Sequence, residues 1–333
     1  MHDSWASLLS QFDLQQPTPK STGQDFIYLL DHYRLLATQG PDAGKFLQGQ
    51  ASCDINKITE QQAQYGSLSS PKGRLYAHFL ASKNSDDSYL LRLPLSIVEN
   101  TQQNLAKYLA FFKAQQQDCS SDYSLFGLKG PNVSANIANC FGSCPSTALA
   151  SLNGADYSVI AIDPEQGLYE CWIKNSALSL YWPQLSGGLS CAASEYWQLQ
   201  LIRLGIAEVS AATADQYIAQ MLNYQATGAI SFKKGCFTGQ EIVARMQYKG
   251  KLKRRLYRIE LANSATLNPN DEVFSSEKNS AVGNLINIAP SGNNTQEALA
   301  VLNNDAALDA SLYVKADETT VPVSLLDLPY NLN

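Results

Sequence analysis

The 333-residue chain has no run of about 18 apolar residues that could span a bilayer. Its first residues also lack the basic and apolar regions of a secretory signal. Charged residues make up only 16% and hydrophobic residues 45%, a composition that excludes an intrinsically disordered chain. The net charge of −6 excludes a protein that coats nucleic acid indiscriminately. We therefore expect a soluble, cytoplasmic, globular protein of two or three domains without membrane contact.

Histidine is scarce, with three in the chain, and the seven cysteines are scattered. An odd, scattered set of cysteines in a long chain favours reduced thiols over a disulfide framework. Cys140 and Cys144 form the only close pair in the sequence, and no histidine lies beside them. Shared burial on one helical face explains this pair better than zinc binding does, so we expect no metal site.

Hydrophobic periodicity organises the chain after a loosely held arm over 1–24. Strand-like runs precede an amphipathic helix, strands and helices then alternate, and short alternating runs from Leu256 onward are typical of a small β-barrel. Helices are predicted from Pro94 to about Ala114, at 195–204 and at 215–224. The predicted domains are a discontinuous α+β domain at 25–118 plus 192–248, a middle domain at 119–191 and a barrel at 249–333.

The segment from Ser231 to Arg245 has the composition of a reactive-thiol site. Thr238 is followed three residues later by Glu241, a capping box that predicts a helix starting at about Gly239. Cys236 would then lie immediately before a helix N-terminus. The partial positive charge at such an N-terminus favours the thiolate form of a cysteine.

The residues beside Cys236 support the same interpretation. Lys233 and Lys234 add positive charge, while Gly235 and Gly239 would let the backbone approach a ligand or turn sharply around the sulfur. The competing interpretation is a small buried cysteine flanked by solvated lysines. No histidine lies within the segment, so a protease-like Cys–His pair is not supported. The combined pattern favours a functional thiol at Cys236 with electrostatic support from Lys234.

Positive charge is concentrated between Lys233 and Arg258, where nine basic residues accompany a single acid. The predicted anion patch consists of Lys249, Lys251, Lys253, Arg254 and Arg255. Phe237, Tyr248 and Tyr257 are interleaved with these residues and could stack on bases. Such a patch suits a polyanion, either RNA or the glutamate tail of a folate. The alternative is a solvated junction between a helix and a strand, which is what charge runs usually are.

The motif Lys-Lys-Gly-Cys-Phe-Thr-Gly-Gln-Glu at 233–241 resembles the K-G-C-Y/F-x-G-Q-E signature of the YgfZ family, folate-binding relatives of the glycine-cleavage aminomethyltransferase. The likeness extends through Phe46–Asp54, Ser70–Leu75, Asn223–Ile230, Asn303–Asp305 and Leu328–Tyr330. It implies an α+β fold with three domains in a ring around a central folate site, a ferredoxin-like middle domain and a C-terminal β-barrel. It also implies a tetrahydrofolate-binding factor that supports iron–sulfur cluster assembly or repair and, through it, enzymes that methylthiolate tRNA. Monomer is the default for a ring already closed on itself.

The resemblance also assigns residues to the folate site. Trp197 falls where the family has a folate-contacting tryptophan. Tyr33 stands where a second tryptophan is expected, and its phenol ring can still stack on a pterin. The motif residues implied as further, less certain contacts are Gly235, Gly239, Gln240 and Glu241.

Two departures separate this chain from the aminomethyltransferases. Ala77 and His78 supply no carboxylate where those enzymes carry one, and Arg203 replaces the glutamate that recognises the pterin. Both departures favour a folate-dependent accessory factor over an enzyme of glycine cleavage. A folate-dependent C1-group transferase and a direct tRNA-binding module remain the alternatives. The folate form and the chemical role of Cys236 stay open at this point.

Overall fold

The computed structural model describes Leu8, Ser10 and residues 24–85, 87–262, 266–277, 280–292, 294–308, 311–316 and 319–332. The arm expected over 1–24 therefore lies almost entirely outside the described residues. Throughout these ranges, no helix is long and apolar enough to cross a membrane.

The strands are β1 (Phe26–Leu29), β2 (Tyr33–Gln39), β3 (Gln64–Ser69), β4 (Leu75–Ser85), β5 (Ser88–Pro94), β6 (Gln115–Asp118), β7 (Tyr123–Lys129), β8 (Ser151–Asn153), β9 (Tyr157–Asp163), β10 (Leu168–Lys174), β11 (Ser190–Ala192), β12 (Arg254–Leu261), β13 (Glu272–Ser275), β14 (Ser280–Gly292), β15 (Thr295–Asn303), β16 (Leu312–Ala316) and β17 (Thr319–Leu326). The helices are α1 (Ala43–Gln50), α2 (Val98–Leu109), α3 (Val133–Phe141), α4 (Leu178–Leu185), α5 (Glu195–Arg203) and α6 (Gln240–Lys249).

The first sheet has the strand order β3-β4-β5-β2-β6, and all its neighbouring strands are antiparallel. Successive side chains of β5 point to opposite faces of the sheet, and each face packs in a different core. Leu91 and Leu93 pack in the core that α1 and α2 cover, whereas Leu90 packs in the core shared with the second sheet. Arg92 has the same parity as Leu90, so a charged side chain enters that shared interior.

The second sheet has the order β11-β1-β7-β10-β9-β8, and α3 and α4 cover one of its faces. The chain order is β7-α3-β8-β9-β10-α4-β11. It is ferredoxin-like apart from β8 at the sheet edge and β1, which is inserted between β11 and β7. The division based on sequence places Phe26–Leu29 within 25–118, but this strand pairs with β7 and β11 instead. All four of its residues are buried, because the inserted strand is covered on both faces.

The third part is a closed six-stranded barrel in the order β12-β15-β14-β13-β16-β17. Its own core consists of aliphatic side chains such as Ile259, Leu285 and Val314. The largest hydrophobic cluster lies where the two sheets, α5 and the barrel meet, and it contains Trp197 and Leu256. The three parts therefore enclose a common interior, and the residues of interest lie in it or along its rim.

The helix predicted from Pro94 is confirmed with shorter bounds. Pro94 is the N-cap of a 3-10 turn at Leu95–Ile97 that continues into α2, and α2 ends at Leu109 rather than near Ala114. One local prediction was wrong. The helix predicted at 215–224 is reduced to a 3-10 turn at Ala219–Leu222. Asp215 and Asn223 have left-handed backbone conformations, with φ of 60° and 56°, that interrupt helical geometry. By contrast, the helix predicted at 195–204 is confirmed as α5.

Candidate functional site

Cys236 lies on the loop that precedes α6, and its side chain is exposed. Of the other six cysteines, three are buried and three are half-buried. Both Lys234 and Phe237 beside it are buried. The loop therefore presents one thiol to solvent while its neighbours hold the backbone in place.

Lys234 fixes the loop before Cys236 through three hydrogen bonds. Its ammonium group donates hydrogen bonds to the carbonyl oxygens of Gln48, Ala51 and Cys53, at 2.8, 2.6 and 2.7 Å. These carbonyls lie at the C-terminal end of α1, where a cation is favoured by the helix dipole. Burial lowers the pKa of Lys234 to about 8. All three ammonium donors are thus directed at α1, and electrostatic support of the Cys236 thiolate by Lys234 stays a prediction.

The backbone after Cys236 is fixed against the first sheet. The Thr238 N–H donates to the Gly49 carbonyl at 3.1 Å, and the Ser69 hydroxyl donates to the Thr238 carbonyl at 2.8 Å. Gly239 adopts φ +84°, and a Cβ there would collide with the Ser69 hydroxyl. A glycine is required at 239 for both reasons. At Gly235, in contrast, a Cβ would point into open space.

The predicted capping box was wrong, although the helix starts close to the expected residue. Gly239 is the N-cap of α6, and no side chain caps the helix. The Thr238 hydroxyl instead bonds to the side-chain oxygen of Gln50 at 3.0 Å, because the loop lies against α1. Gln240 is half-buried and Glu241 is exposed in the first turn of α6.

Tyr33 is buried, and its environment is charged. Its hydroxyl donates to Glu208 Oε2 at 2.6 Å, and the guanidinium carbon of Arg92 lies 3.9 Å from the ring centroid. Burial and the Glu208 carboxylate raise the pKa of Tyr33 well above its ordinary value. Tyr33 also lines a surface cavity of about 490 Å³. This volume is in the range of about 300–1,000 Å³ typical of small-molecule sites.

Trp197 projects from α5 into the common interior and is fully buried. Its indole packs directly on Gly127 of β7, where a Cβ would collide with the ring. The ring centroids of Trp197 and Tyr28 are 6.0 Å apart. Trp197 is therefore part of the wall of the common interior, and its side chain is not exposed at the molecular surface.

An interior cluster of three charged side chains, Arg92, Glu170 and Glu208, joins the two sheets and the segment after α5. Arg92 Nε donates to Glu170 Oε1 at 3.0 Å, and Arg92 Nη1 bonds to Glu208 Oε1. The side chains of Arg92 and Glu170 are fully buried, and that of Glu208 is 7% exposed. The Trp172 indole N–H also donates to Glu170 Oε1, at 2.7 Å. Sequence reasoning missed this cluster, although each member is a lone charge in an apolar run.

The electrostatics of the interior cluster follow from its burial. Burial opposes ionisation of both carboxyl groups, but Arg92 and the Tyr33 hydroxyl hold the pKa of Glu208 below its ordinary value. For Glu170 burial outweighs Arg92, and its pKa is raised. Burial also lowers the pKa of the neighbouring His78 to about 3, so this imidazole is neutral. The single arginine thus faces two carboxyl groups whose pKa values are shifted in opposite directions.

Arg203 lies in a second group, the barrel cluster of Arg203, Arg258 and Glu297. Arg203 donates to Glu297 Oε1 through Nε and Nη2, at 3.0 and 2.6 Å. Arg258 donates to Oε2 in the same way, at 2.9 and 2.7 Å. Glu297 is buried, and the two arginines hold its pKa below the ordinary value against the effect of burial. The guanidinium that stands at the expected pterin-recognition position is thus bound to the barrel.

The predicted anion patch is partly exposed. Lys249, Lys251 and Lys253 are exposed, whereas Arg254 Nε donates to Asn303 Oδ1 at 2.8 Å and Arg255 Nη1 donates to the Leu332 carbonyl at 3.1 Å. Of the interleaved aromatic residues, Tyr248 is 71% exposed, Tyr257 is half-buried and Phe237 is buried. Phe237 is therefore unable to stack on a base.

Comparisons with known proteins agree with this architecture. Residues 28–161 match the GCVT N-terminal domain family. The aminomethyltransferase T of the Bartonella henselae glycine cleavage system superposes with a TM-score of 0.75, covering 92% of this chain and 86% of that one at 13% identity. This similarity confirms an aminomethyltransferase-like α+β fold with a C-terminal six-stranded barrel.

Two curated relatives carry the name "tRNA-modifying protein YgfZ". The protein from Colwellia psychrerythraea is 30% identical over 243 residues, which cover 73% of this chain and 74% of the relative. The protein from Escherichia coli O7:K1 is 27% identical over 325 residues, which cover 96% and 98% of the two chains. The chain described here belongs to the YgfZ family.

Proposed function

We propose that the protein is a tetrahydrofolate-binding accessory factor that supports iron–sulfur enzymes of tRNA modification, methylthiolation included, with Cys236 as its functional thiol. The observation that carries this proposal is the exposed thiol on an anchored loop. Lys234 and Thr238 fix the backbone on both sides, so the sulfur is presented without the entropy of a mobile loop. A reactive cysteine has to be accessible in this way.

The relatives support the setting of this function. Both are named as tRNA-modifying proteins. The fold is shared with an aminomethyltransferase of glycine cleavage, and the first part of the chain matches the corresponding domain family. Tetrahydrofolate fits this scaffold, because Tyr33 lines a cavity of suitable size.

The role of the thiol is tested by complementation of a strain that lacks its own homologue and has reduced tRNA methylthiolation. We expect Cys236→Ala to abolish complementation, whereas Cys144→Ala retains it, because Cys144 is half-buried in the second sheet's core. Circular dichroism establishes that both variants fold. Full activity of Cys236→Ala would remove the thiol from the mechanism.

Folate binding is tested by titrating the purified protein with tetrahydrofolate and following tryptophan fluorescence. We expect saturable quenching that weakens in Trp197→Phe and persists in Trp182→Phe. Trp182 is an equally buried tryptophan of α4, and it packs in the core on the far face of the second sheet. Absence of binding by the wild type would overturn the folate proposal.

Direct tRNA contact is a second candidate function, favoured by the exposure of Lys249, Lys251, Lys253 and Tyr248. We expect replacement of the three lysines by glutamine to weaken tRNA binding and to lower its salt dependence. The matched control replaces Lys45, Lys57 and Lys107 by glutamine. These three lysines are also exposed, and they lie outside the predicted anion patch. Equal loss in both triple variants would indicate a general charge effect and exclude a defined RNA surface.

A further inference from the structure

A surface cavity of about 500 Å³ lies where β6, an edge strand of the first sheet, leads into β7 of the second. We call it the edge cavity. The described residues that line it belong neither to the interior cluster, nor to the barrel cluster, nor to the loop of Cys236. Its volume is in the range of about 300–1,000 Å³ typical of small-molecule sites. The proposed function therefore assigns no role to a cavity of ligand size.

The floor of the edge cavity is one cross-strand row of the first sheet. Ala37 of β2 pairs with Leu90 of β5 on one side and with Gln117 of β6 on the other. Residues paired in this way point their side chains to the same face of a sheet, and Gln39, two residues after Ala37, points to that face too. Ala37 and Leu90 are each 2% exposed. The floor is therefore apolar and is flanked by the carboxamides of two glutamines.

The second sheet supplies another wall of the edge cavity. Tyr123 at the start of β7 and Lys174 at the end of β10 are cross-strand partners, and both side chains are half-buried. Lys174 Nζ donates to Asp156 Oδ1 at 3.3 Å, and 37% of the lysine side chain stays exposed. An aromatic ring and an ammonium group thus line the same cavity side by side.

Asn84 reaches the edge cavity from a β-bulge in β4. Lys83 pairs with Tyr89 and Ser85 pairs with Ser88, so Asn84 is the extra residue between two consecutive pairs. A bulge re-aims a side chain and is over-represented next to functional sites. Asn84 Oδ1 is buried and finds no hydrogen-bond partner among the described residues. The bulge therefore places a free acceptor at a cavity whose ligand can supply the donor.

The lining chemistry restricts the ligand. A carboxamide offers an acceptor beside a donor, and the matching base edge is that of adenine, with its 6-amino group beside N7. Guanine presents two acceptors at the same edge, O6 and N7, which suit arginine or lysine instead. The ring of Tyr123 can stack on a base. Lys174 is the one cation among the described residues that line the cavity, and Asp122 adds a carboxylate. This balance of charge favours a monophosphate over a triphosphate.

We propose that the edge cavity binds an adenine nucleotide. The base lies over Ala37 and Leu90 and stacks on Tyr123, Asn84 accepts from the 6-amino group, and Lys174 attracts the phosphate. The same chemistry is offered by a free nucleotide and by an unpaired adenosine of an RNA strand. This site goes beyond the proposed function, and it depends neither on folate binding nor on the Cys236 thiol.

The first test is calorimetric titration of the full-length wild type, Asn84→Ala and Asn104→Ala with AMP. Asn104→Ala is the matched control, because Asn104 is also half-buried but lies on α2, which covers the other face of the first sheet. We expect the wild type to bind one AMP, Asn84→Ala to bind it about 10-fold more weakly through loss of one hydrogen bond, and Asn104→Ala to bind like the wild type. A folded Asn84→Ala that binds AMP as tightly as the wild type overturns the assignment, as does equal weakening in both variants. Circular dichroism verifies the folds.

A second set of ligands tests the site without altering the protein. We expect GMP and ribose 5-phosphate each to bind the wild type at least about 10-fold more weakly than AMP, because the first has the wrong base edge and the second has no base. Equal affinity for ribose 5-phosphate would mean that the phosphate alone is recognised, and equal affinity for GMP would mean that the carboxamides do not read the base. Either result overturns the proposal even if Asn84→Ala fails to fold.

The source of the adenine is separated by titrating a fluorescein-labelled hexaadenylate. An RNA source predicts that the oligonucleotide binds at least about 10-fold more tightly than AMP and loses this advantage in Asn84→Ala, whereas a free nucleotide as the source predicts tighter binding of AMP. Both results support an adenine site, and binding of neither ligand overturns it.

Competition with tetrahydrofolate separates the edge cavity from the proposed folate site. Tyr123 also lines the cavity that contains Tyr33, so the two cavities are neighbours. We expect AMP to bind with unchanged affinity in the presence of saturating tetrahydrofolate. Displacement of AMP would show that the edge cavity is part of a folate site and would overturn an independent nucleotide site. A wild type that binds AMP but no tetrahydrofolate contradicts the folate proposal alone.

Discussion

The interior cluster and the barrel cluster are ion clusters of opposite composition. In the barrel cluster, two arginines share Glu297, and each carboxylate oxygen accepts two hydrogen bonds. In the interior cluster, two glutamates share Arg92, and both Arg92 Nη2 and Glu170 Oε2 remain without partners among the described residues. The barrel cluster is partly solvated, and both oxygens of its carboxylate are hydrogen-bonded. The interior cluster is buried, and two of its polar atoms have no hydrogen-bond partner among the described residues.

The difference separates a cluster whose hydrogen bonds are completed by other residues from one whose hydrogen bonds are not. A complete cluster needs no ligand, and the barrel cluster ties α5 to β12 and β15. The interior cluster keeps the energetic cost of its unpartnered buried atoms, because no described residue supplies the missing hydrogen bonds. Completeness of hydrogen bonding therefore distinguishes the two clusters better than charge does.

The largest effect is expected from Arg92→Met, which leaves two buried carboxylates without a cation. We expect a loss of about 3–5 kcal/mol in the free energy of unfolding, the usual result of breaking a buried ion pair from one side. Urea denaturation at neutral pH measures it. A loss below about 1 kcal/mol would mean that the carboxyl groups become protonated at little cost and that the cluster is not held by charge.

Replacing Glu170 and Glu208 by glutamine in the Arg92→Met background provides the control. Both neutral amides remove the charges that Arg92 compensates, so much of the lost stability should return. Additive losses in the triple variant would show that Arg92 acts through packing alone.

Tyr33→Phe is expected to have the next largest effect on the interior cluster. It removes the hydroxyl that donates to Glu208 Oε2 while it keeps the ring under the Arg92 guanidinium. Loss of a hydrogen bond to a buried carboxylate costs about 1.5–3 kcal/mol. Tyr257→Phe is the control, because that hydroxyl is on the barrel and its bond to Asn304 is long, at 3.5 Å. Equal effects of the two substitutions would contradict a special role for the Tyr33 hydroxyl.

Much of the architecture could be predicted from the sequence. Helix α5, a helix directly after the thiol motif and a barrel after residue 249 all follow from local patterns of apolar residues, caps and turns. The YgfZ-like motif then fixed the family, and the structural comparison confirmed the fold. These features could be predicted because each depends on residues that are close together in the chain.

The interior cluster could not be predicted, because its pairs lie 78 and 116 residues apart in the chain. The available signal was a single charge inside an apolar strand, as in Leu90-Leu91-Arg92-Leu93 and Tyr169-Glu170-Cys171-Trp172. A charge at such a position has to be paired once buried, but the sequence does not name its partner. The capping box predicted at Thr238 was wrong for a similar reason, because the Thr238 hydroxyl donates to Gln50 of α1, a helix that is distant in the chain.

A pH effect of about 2 kcal/mol is expected from His78, which stacks between Tyr65 and Tyr224 near Arg92 and Glu208. Burial lowers its pKa from 6.5 to about 3, so between these values the unfolded chain binds a proton that the folded one does not. Stability contributed by this histidine is therefore complete at neutral pH and is lost as the pH falls below 6.5. Lowering the pH from 7 to 5 should cost the wild type about 2 kcal/mol more than His78→Phe, measured by urea denaturation. Parallel pH profiles of the two proteins would show that His78 titrates normally.

The smallest effect is expected from Arg258→Met in the barrel cluster, although it removes an arginine just as Arg92→Met does. Glu297 keeps both hydrogen bonds from Arg203, and the vacated Oε2 lies beside half-buried side chains that water can reach. We expect a loss of about 1 kcal/mol or less in the free energy of unfolding, as for partly solvated ion pairs. Tetrahydrofolate affinity should stay that of the wild type, because none of the buried atoms without a partner in the described part of the chain belongs to this cluster. A loss as large as that of Arg92→Met would show that completeness of hydrogen bonding does not distinguish the two clusters.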